Sequence, residues 1–312
     1  MIVSEGLTKL YGEHKAIDSI RFEIGCGEVV GLLGLNGAGK TTILQILSCL
    51  LLPSAGHARI AGYDVVTQSL EARRRTGFLA QQPSLYDEMR VRDFLLLVAE
   101  LHGLSRASAR RGVGETVERL DLGAVQRQVI GTLSYGFRHR VGIGAAIVHG
   151  PEVVILDEPI GGLDPVQIVE MRDTIAGLRG RHTVLLSSHI LHEISQTCDR
   201  ILVIDRGRIV AHGTEEELAD RSGSGFRVRL TARGNGAGLR ALLERQGPVR
   251  AIGEFHSERD LNRMLLTLDG DARELLSKAV VEAGFGLLEL APVEDELESI
   301  FLRLTQTGAE SA

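Results

Sequence analysis

Two stretches of this chain carry residue types spaced for phosphate chemistry. Gly34-Leu-Asn-Gly-Ala-Gly-Lys-Thr41 matches the pattern G-x-x-x-x-G-K-[ST]. Its glycines permit positive φ and close backbone approach. The amides of Asn36, Gly37, Ala38, Gly39, Lys40, Thr41 and Thr42, at the start of a helix, are then expected to enclose a β-phosphate. Lys40 is expected to reach the β- and γ-phosphates, and the Thr41 hydroxyl to coordinate Mg²⁺. The second stretch is Val153-Val-Ile-Leu-Asp157-Glu158-Pro159. A strand ending in Asp supplies the carboxylate that holds the Mg²⁺ shell, here Asp157. Glu158, one residue on, is expected on the opposite side of the strand, where it polarises an attacking water as general base, a role worth about 10²–10⁴-fold in rate.

These groups act together only if strands deliver them to one place. Glu28-Val-Val-Gly-Leu-Leu-Gly34 reads as a buried strand running into the glycine-rich turn, and Lys40 to Leu52 as a helix stopped by Pro53. Val153–Leu156 and Thr183–Ser187 read as further apolar strands, and Ile201–Ile204 as a strand leading into a tight turn at Asp205-Arg-Gly-Arg. Strands of this kind separated by helices predict an α/β core with both sheet faces covered. Residues 91–130 mix Leu and Val with Arg and Glu and predict a mostly helical insert. Arg221-Ser-Gly-Ser-Gly225 reads as a linker. After it, strands at 226–231, 249–255, 263–268 and 287–290 and helices at 239–246 and 272–283 give the order βαββαβ, which predicts a small α+β domain of the ferredoxin-like kind. A last amphipathic helix is expected over Glu294–Leu304.

Together the motifs resemble the nucleotide-binding subunits of ATP-binding-cassette (ABC) proteins over about residues 2–220. The resemblance implies a P-loop NTPase cassette at 1–220, with its helical insert at about 84–135, a linker at 221–225 and an accessory domain at 226–312. Gly77-Phe-Leu-Ala-Gln81-Gln-Pro is similar to the family's glutamine loop, which makes Gln81 a contact to Mg²⁺ and water. Leu133-Ser-Tyr-Gly-Phe-Arg-His-Arg140 resembles the family signature LSGGQ, and implies that Ser134 and Gly136 contact the γ-phosphate held by an opposite protomer. Tyr135 and Phe137 depart from the signature's core, and His139 stands where a Gln is usual. Gly161-Gly-Leu-Asp164-Pro resembles the dimer-contact Asp loop, and Ser187-Ser-His189 the switch histidine, which implies that His189 contacts the γ-phosphate and orients Glu158. Lys9-Leu-Tyr11-Gly resembles the aromatic loop, with Tyr11 stacked on adenine. The acidic stretch Glu294-Asp-Glu-Leu-Glu-Ser-Ile-Phe301-Leu302 resembles the end of exporter subunits of the drug-resistance, sodium-efflux and gliding-motility type.

Composition narrows the classes. The 312 residues are 44% hydrophobic and 24% charged, which suits a chain with sizeable cores and excludes disorder and fibrous repeats. The formal charge of −6 carries no basic excess, so nucleic acid is not expected as a partner. Three scattered cysteines fit a reducing compartment. The longest apolar-rich stretch, Ile43–Leu52, falls short of the roughly 18 residues of a membrane span. A zinc site from His189, His192 and Glu193 lacks the rest of a zinc-binding helix pattern. One phosphate loop and one signature cannot complete a site within a single chain. The expected function is therefore an ATPase that forms a homodimer around two Mg²⁺-ATP. It would sit on the cytoplasmic side of the membrane and drive a separate integral membrane permease, with the C-terminal resemblance favouring export. Two alternatives are a soluble non-transport ABC ATPase, and a regulatory cassette that hydrolyses weakly because of Phe137 and His139.

Overall fold

The run Val29–Leu33 is buried at every residue, which requires cover on both faces of its sheet. The computed structural model describes residues 1–221, 226–258 and 260–292, and in it the chain divides into two compact units, Met1–Glu215 and Glu216–Ala312. Elements follow in the order β1 (Ile2–Tyr11), β2 (His14–Ile24), β3 (Val29–Leu33), α1 (Lys40–Leu47), β4 (Ala55–Ile60), β5 (Tyr63–Asp64), α2 (Ser69–Arg74) and β6 (Thr76–Leu79). Next come α3 (Val91–Leu101), α4 (Arg106–Arg119), a 3-10 turn (Ile130–Thr132) and α5 (Tyr135–Ile147). Then follow β7 (Val153–Leu156), α6 (Pro165–Ala176), β8 (Thr183–Ser188), α7 (Leu191–Ser195), β9 (Arg200–Asp205), β10 (Arg208–Gly213) and α8 (Glu215–Arg221).

The first unit holds two sheets. Strands β3, β6, β7, β8 and β9 run parallel in a sheet of order β10-β9-β3-β8-β7-β6, with β10 antiparallel at one edge. Strands β2-β1-β4-β5 form an antiparallel sheet. Helix α1 joins the two: Ile43, Leu44, Ile46 and Leu47 share one core with Val30 and Leu32 of the parallel sheet and with Ile2, Leu7 and Ile60 of the antiparallel one. Each such side chain removed from water contributes about 1.5–3 kcal/mol, so α1, and the loop before it, is held from both sides.

Helix α1 ends at Leu47, five residues short of the sequence expectation. Cys49 takes φ 58°, in the left-handed region. The Leu50 amide then donates to the Gln45 carbonyl at 2.8 Å and the Cys49 amide to Ile46 at 3.0 Å, the paired bonds of a Schellman stop. Pro53 lies beyond this stop and does not cause it. Between β6 and β7, α3 packs on α4 and α5, and α5 returns to pack on β6 and β7.

In the second unit, β11 (Phe226–Arg233), α9 (Gly236–Glu244), β12 (Val249–Glu258), β13 (Leu261–Leu268), α10 (Arg273–Glu282) and β14 (Gly286–Pro292) follow in that order. The sheet is antiparallel, with strand order β12-β13-β11-β14. Val228, Leu230, Met264 and Leu266 from the strands meet Leu239, Leu243, Leu276 and Val280 from the helices in a core of their own. Arg221, expected to open the linker, is the last residue of α8. Residues 222–225 of that linker and the helix expected over Glu294–Leu304 lie outside the described residues.

Candidate functional site

Four adjacent parallel strands, β3, β8, β7 and β6, end at the same edge of the sheet. Carboxyl ends of parallel strands are where open α/β sheets place their ligands. The Gly34–Lys40 loop follows β3, His189 follows β8, Asp157 and Glu158 follow β7, and Gln81 follows β6. The loop's shape rests on its glycines. A Cβ on Gly34 would stand 2.6 Å from Ile204 Cγ2, and Gly39 has φ 108° with the Ala16 carbonyl only 2.7 Å from where its Cβ would be. Only glycine meets both demands.

A cleft of about 440 Å³ opens over this edge, lined by Tyr11, Asn36, Gly37, Gly39, Thr41, Thr42 and three chemically active side chains, Lys40, Gln81 and Glu158. Lys40 is 5% exposed. Its Nζ donates to the Gly34 carbonyl at 2.7 Å and to the Leu35 carbonyl at 3.3 Å, and stands 3.5 Å from Glu158 Oε1. Burial pushes the ammonium below the usual lysine range, and the Glu158 carboxylate opposes that shift. Tyr11 is half exposed at the end of β1, and Lys9 Nζ sits 5.4 Å from its ring centroid. Lys9 is itself tied to the Leu52 carbonyl at 2.8 Å, so one ring face is taken by a fixed cation.

Glu158 is the hub. Gln81 Nε2 donates to its Oε2 at 3.0 Å, and His189 Nδ1 lies 3.4 Å from Oε1. Its direction does not come from strand alternation, as the sequence suggested. Strand β7 stops at Leu156, and Glu158 adopts φ 46°, a left-handed conformation that costs a non-glycine residue about 1–2 kcal/mol. Ser187 helps to hold that turn: its Oγ accepts from the Glu158 amide at 2.9 Å and donates to Asp157 Oδ1 at 2.6 Å. Asp157 is thereby buried beneath the cleft, at 3% exposed.

Ser134, Gly136 and Asp164 do not line this cleft. Ser134 caps α5, its Oγ accepting from the Phe137 amide at 3.4 Å. Asp164 caps α6, its Oδ1 accepting from the amides of Val166 and Gln167 at 3.0 and 2.9 Å. Gly136 faces α6, where a Cβ would stand 3.0 Å from Gln167 Cδ. Ala38 is buried within the loop. Sequence reasoning missed His14, Ala16 and Leu35 as lining residues and Ser187 as a tether. The signal for His14 was the two-residue turn after Tyr11, which pairs Tyr11 with His14 across β1 and β2. For Ser187 it was a hydroxyl directly after the apolar run Val184–Leu186, at the end of a buried strand. Among the described residues no three or more His, Cys, Asp and Glu side chains are grouped so that they could hold a metal ion.

Comparisons with known proteins agree with this geometry. Residues 17–161 match the family model described as ABC transporter. The daunorubicin resistance ATP-binding protein DrrA3 of Streptomyces coeruleorubidus is 38% identical, over 97% of this chain and 95% of its own length. The doxorubicin resistance ATP-binding protein DrrA of Mycobacterium tuberculosis is 36% identical over 99% and 95%. The bacitracin transport ATP-binding protein BcrA of Bacillus licheniformis is 32% identical over 99% and 98%. Among solved structures, an ATP-binding subunit of an ABC transporter superposes with a TM-score of 0.65 at 29% identity, covering 72% of this chain and 93% of that one. The dimeric structure of MJ0796, a bacterial ABC transporter cassette, superposes with a TM-score of 0.62 at 26% identity, covering 69% and 98%. The chain belongs to the ATP-binding subunits of ABC transporters, and is an ATPase of that family.

Proposed function

We propose that this chain binds Mg²⁺-ATP in the cleft over the parallel sheet, dimerises around two such nucleotides, and by hydrolysing them drives a separate membrane permease that exports a drug-like compound. The observation that carries the proposal is the convergence on one carboxylate: Lys40, Gln81 and His189 all reach Glu158 from different strand ends. Nothing in the packing of the core needs these four polar groups together, whereas γ-phosphate hydrolysis does.

In this mechanism the amides of Asn36–Thr42 and the start of α1 receive the phosphates, and Tyr11 offers the base the ring face opposite Lys9. The Thr41 hydroxyl, the Asp157 carboxylate and the Gln81 amide oxygen are hard oxygen donors suited to Mg²⁺, which supplies charge neutralisation at the β- and γ-phosphates. Lys40 turns from the loop carbonyls to the phosphates. Glu158 accepts a proton from water as the water oxygen bonds to the γ-phosphorus and the bond to the β–γ bridging oxygen breaks, releasing ADP. His189 and Gln81 hold the Glu158 carboxylate in line. Ser134 and Gly136, at the N-terminus of α5, supply an anion site for the nucleotide held by the second copy, and Asp164 lies beside the dimer seam.

Among the described residues no helix is long and apolar enough to cross a membrane. In this reading the permease is a separate polypeptide, as the relatives' description as ATP-binding proteins suggests, and this chain sits against it at the cytoplasmic face. Export of a drug-like cargo follows the relatives, which are proteins of daunorubicin and doxorubicin resistance and of bacitracin transport. Affinity purification from detergent-solubilised membranes, followed by mass spectrometry, tests the partnership. A polytopic membrane protein should co-purify in stoichiometric amount, and its identity should narrow the cargo. Recovery of ribosomal proteins in its place would point to a soluble ATPase.

A further inference from the structure

A residue held in a strained backbone conformation stays there only when its surroundings over-determine it. Glu158 is such a residue, with φ 46°. Ser187 fixes the start of its turn through the Glu158 amide. The far side of the turn is fixed from α5. Tyr135 Oη donates to the Gly161 carbonyl at 3.3 Å, and its ring lies over Gly162, where a Cβ would stand 3.4 Å from Tyr135 Cε1. His139, one helical turn on, packs its ring against Tyr135 with centroids 4.4 Å apart and planes at 47°. It is 1% exposed, and neither ring nitrogen has a well-aligned hydrogen-bond partner among the described residues, while the backbone of Pro159, in the same turn, acts on the imidazole. The ring thus backs the tyrosine and lies against the turn itself. Arg140 pairs with Glu170 of α6, which closes the clamp between α5 and the segment after Glu158. Tyr135 and His139 are two of the three positions at which this chain departs from the usual signature.

We propose that Tyr135, braced by His139, is a positioning residue for Glu158: it holds the 158–162 turn so that the carboxylate stays aimed into the cleft. This deepens the proposed function and rests on it.

The test compares the full-length wild type with Tyr135→Phe, which keeps the ring and removes only the hydroxyl. Steady-state phosphate release gives kcat and KM, and equilibrium binding of a fluorescent ATP analogue gives Kd. Loss of one hydrogen bond that acts only on geometry predicts kcat lower by about three- to tenfold, with Kd changed less than about twofold. His139→Gln, which restores the residue usual in the family, is expected to lower kcat in the same direction, and adding it to Tyr135→Phe to cause no further loss. Measuring Kd for every variant separates a positioning effect from misfolding. A kcat for Tyr135→Phe within about twofold of wild type would overturn the proposal. So would a Kd that weakens as much as kcat/KM at constant kcat. Losses that multiply in the double variant would overturn the bracing role of His139. If the wild type itself releases no phosphate, or Glu158→Gln releases it as fast, the proposed ATPase site has failed instead.

Discussion

Replacing Ser187 by Ala probes the tether beneath the cleft. The Ser187 side chain is fully buried, so alanine leaves the fold's shape almost unchanged while removing two bonds. One runs to the Asp157 carboxylate at 2.6 Å and the other from the Glu158 amide at 2.9 Å. A bond to a charged group contributes about 1.5–3 kcal/mol and a neutral one about 0.5–1.5 kcal/mol, so together they are worth about 2–4.5 kcal/mol. In a unit of this size each kcal/mol moves the midpoint by about 2–4 °C, which predicts a Tm lower by roughly 4–18 °C. The Glu158 turn also loses its anchor, and a displacement of about 1 Å in a catalytic group costs on the order of a hundredfold. Differential scanning calorimetry and steady-state phosphate release measure the two effects. ATP affinity measured without Mg²⁺ should change little, because the Ser187 hydroxyl bonds to Asp157 and Glu158 and not to the Gly34–Thr42 loop. A Tm within about 1 °C of wild type together with kcat within about twofold would refute the tether.

Three further outcomes follow from the same geometry. His149 stacks on His102 with ring centroids 3.6 Å apart, and burial, then the neighbouring His102, lowers its pKa from 6.5 to about 4. The unfolded chain takes up this proton below pH 6.5 and the folded chain only near pH 4, so stability is complete above the higher value and falls by roughly 3 kcal/mol on acidification towards the lower. His149→Phe should therefore flatten the decline of urea midpoints between neutral pH and pH 5, and an unchanged slope would exclude this group. Gly77→Ala would place a Cβ 1.9 Å from the Ala146 carbonyl on α5. Since helix backbone yields little, urea unfolding should show a loss of about 1–3 kcal/mol or more, and full stability would contradict that packing. Lys40→Ala should abolish binding of a fluorescent ATP analogue at concentrations that saturate wild type, because the lysine is the one cation lining the cleft among the described residues.

Legibility in the sequence tracked how local the cause was. The Gly34–Thr41 loop was readable because its glycine positions answer to backbone geometry, and the strands before and after it are short apolar runs. Strands β3, β7, β8 and β9 were visible for the same reason, being buried on both faces. Two local features misled. Pro53 stood out as a helix stop, yet α1 ends earlier because Cys49 accepts a left-handed φ that sequence pattern assigns to glycine. Strand alternation suggested a direction for Glu158, but β7 had already ended and a left-handed turn took over. The antiparallel sheet of β1, β2, β4 and β5 was the least legible element, since its pairing depends on contacts between residues far apart in sequence, such as Ile2 with Ile60. The cleft's chemistry was readable as single motifs. The resemblance implied that His189 orients Glu158, but not that Lys40 and Gln81 also reach it, because that depends on the order in which four parallel strands lie side by side.

The most direct measurement is the mass of the Glu158→Gln protein in solution with saturating Mg²⁺-ATP, by size-exclusion chromatography with light scattering, alongside the nucleotide content of the peak. The substitution keeps a side chain that Gln81, His189 and Lys40 can still contact, but removes the base. The expected species is a dimer that retains two unhydrolysed ATP and reverts to monomer when nucleotide is removed. A variant that stays monomeric with ATP bound, or a dimer that still releases phosphate at the wild-type rate, would contradict it.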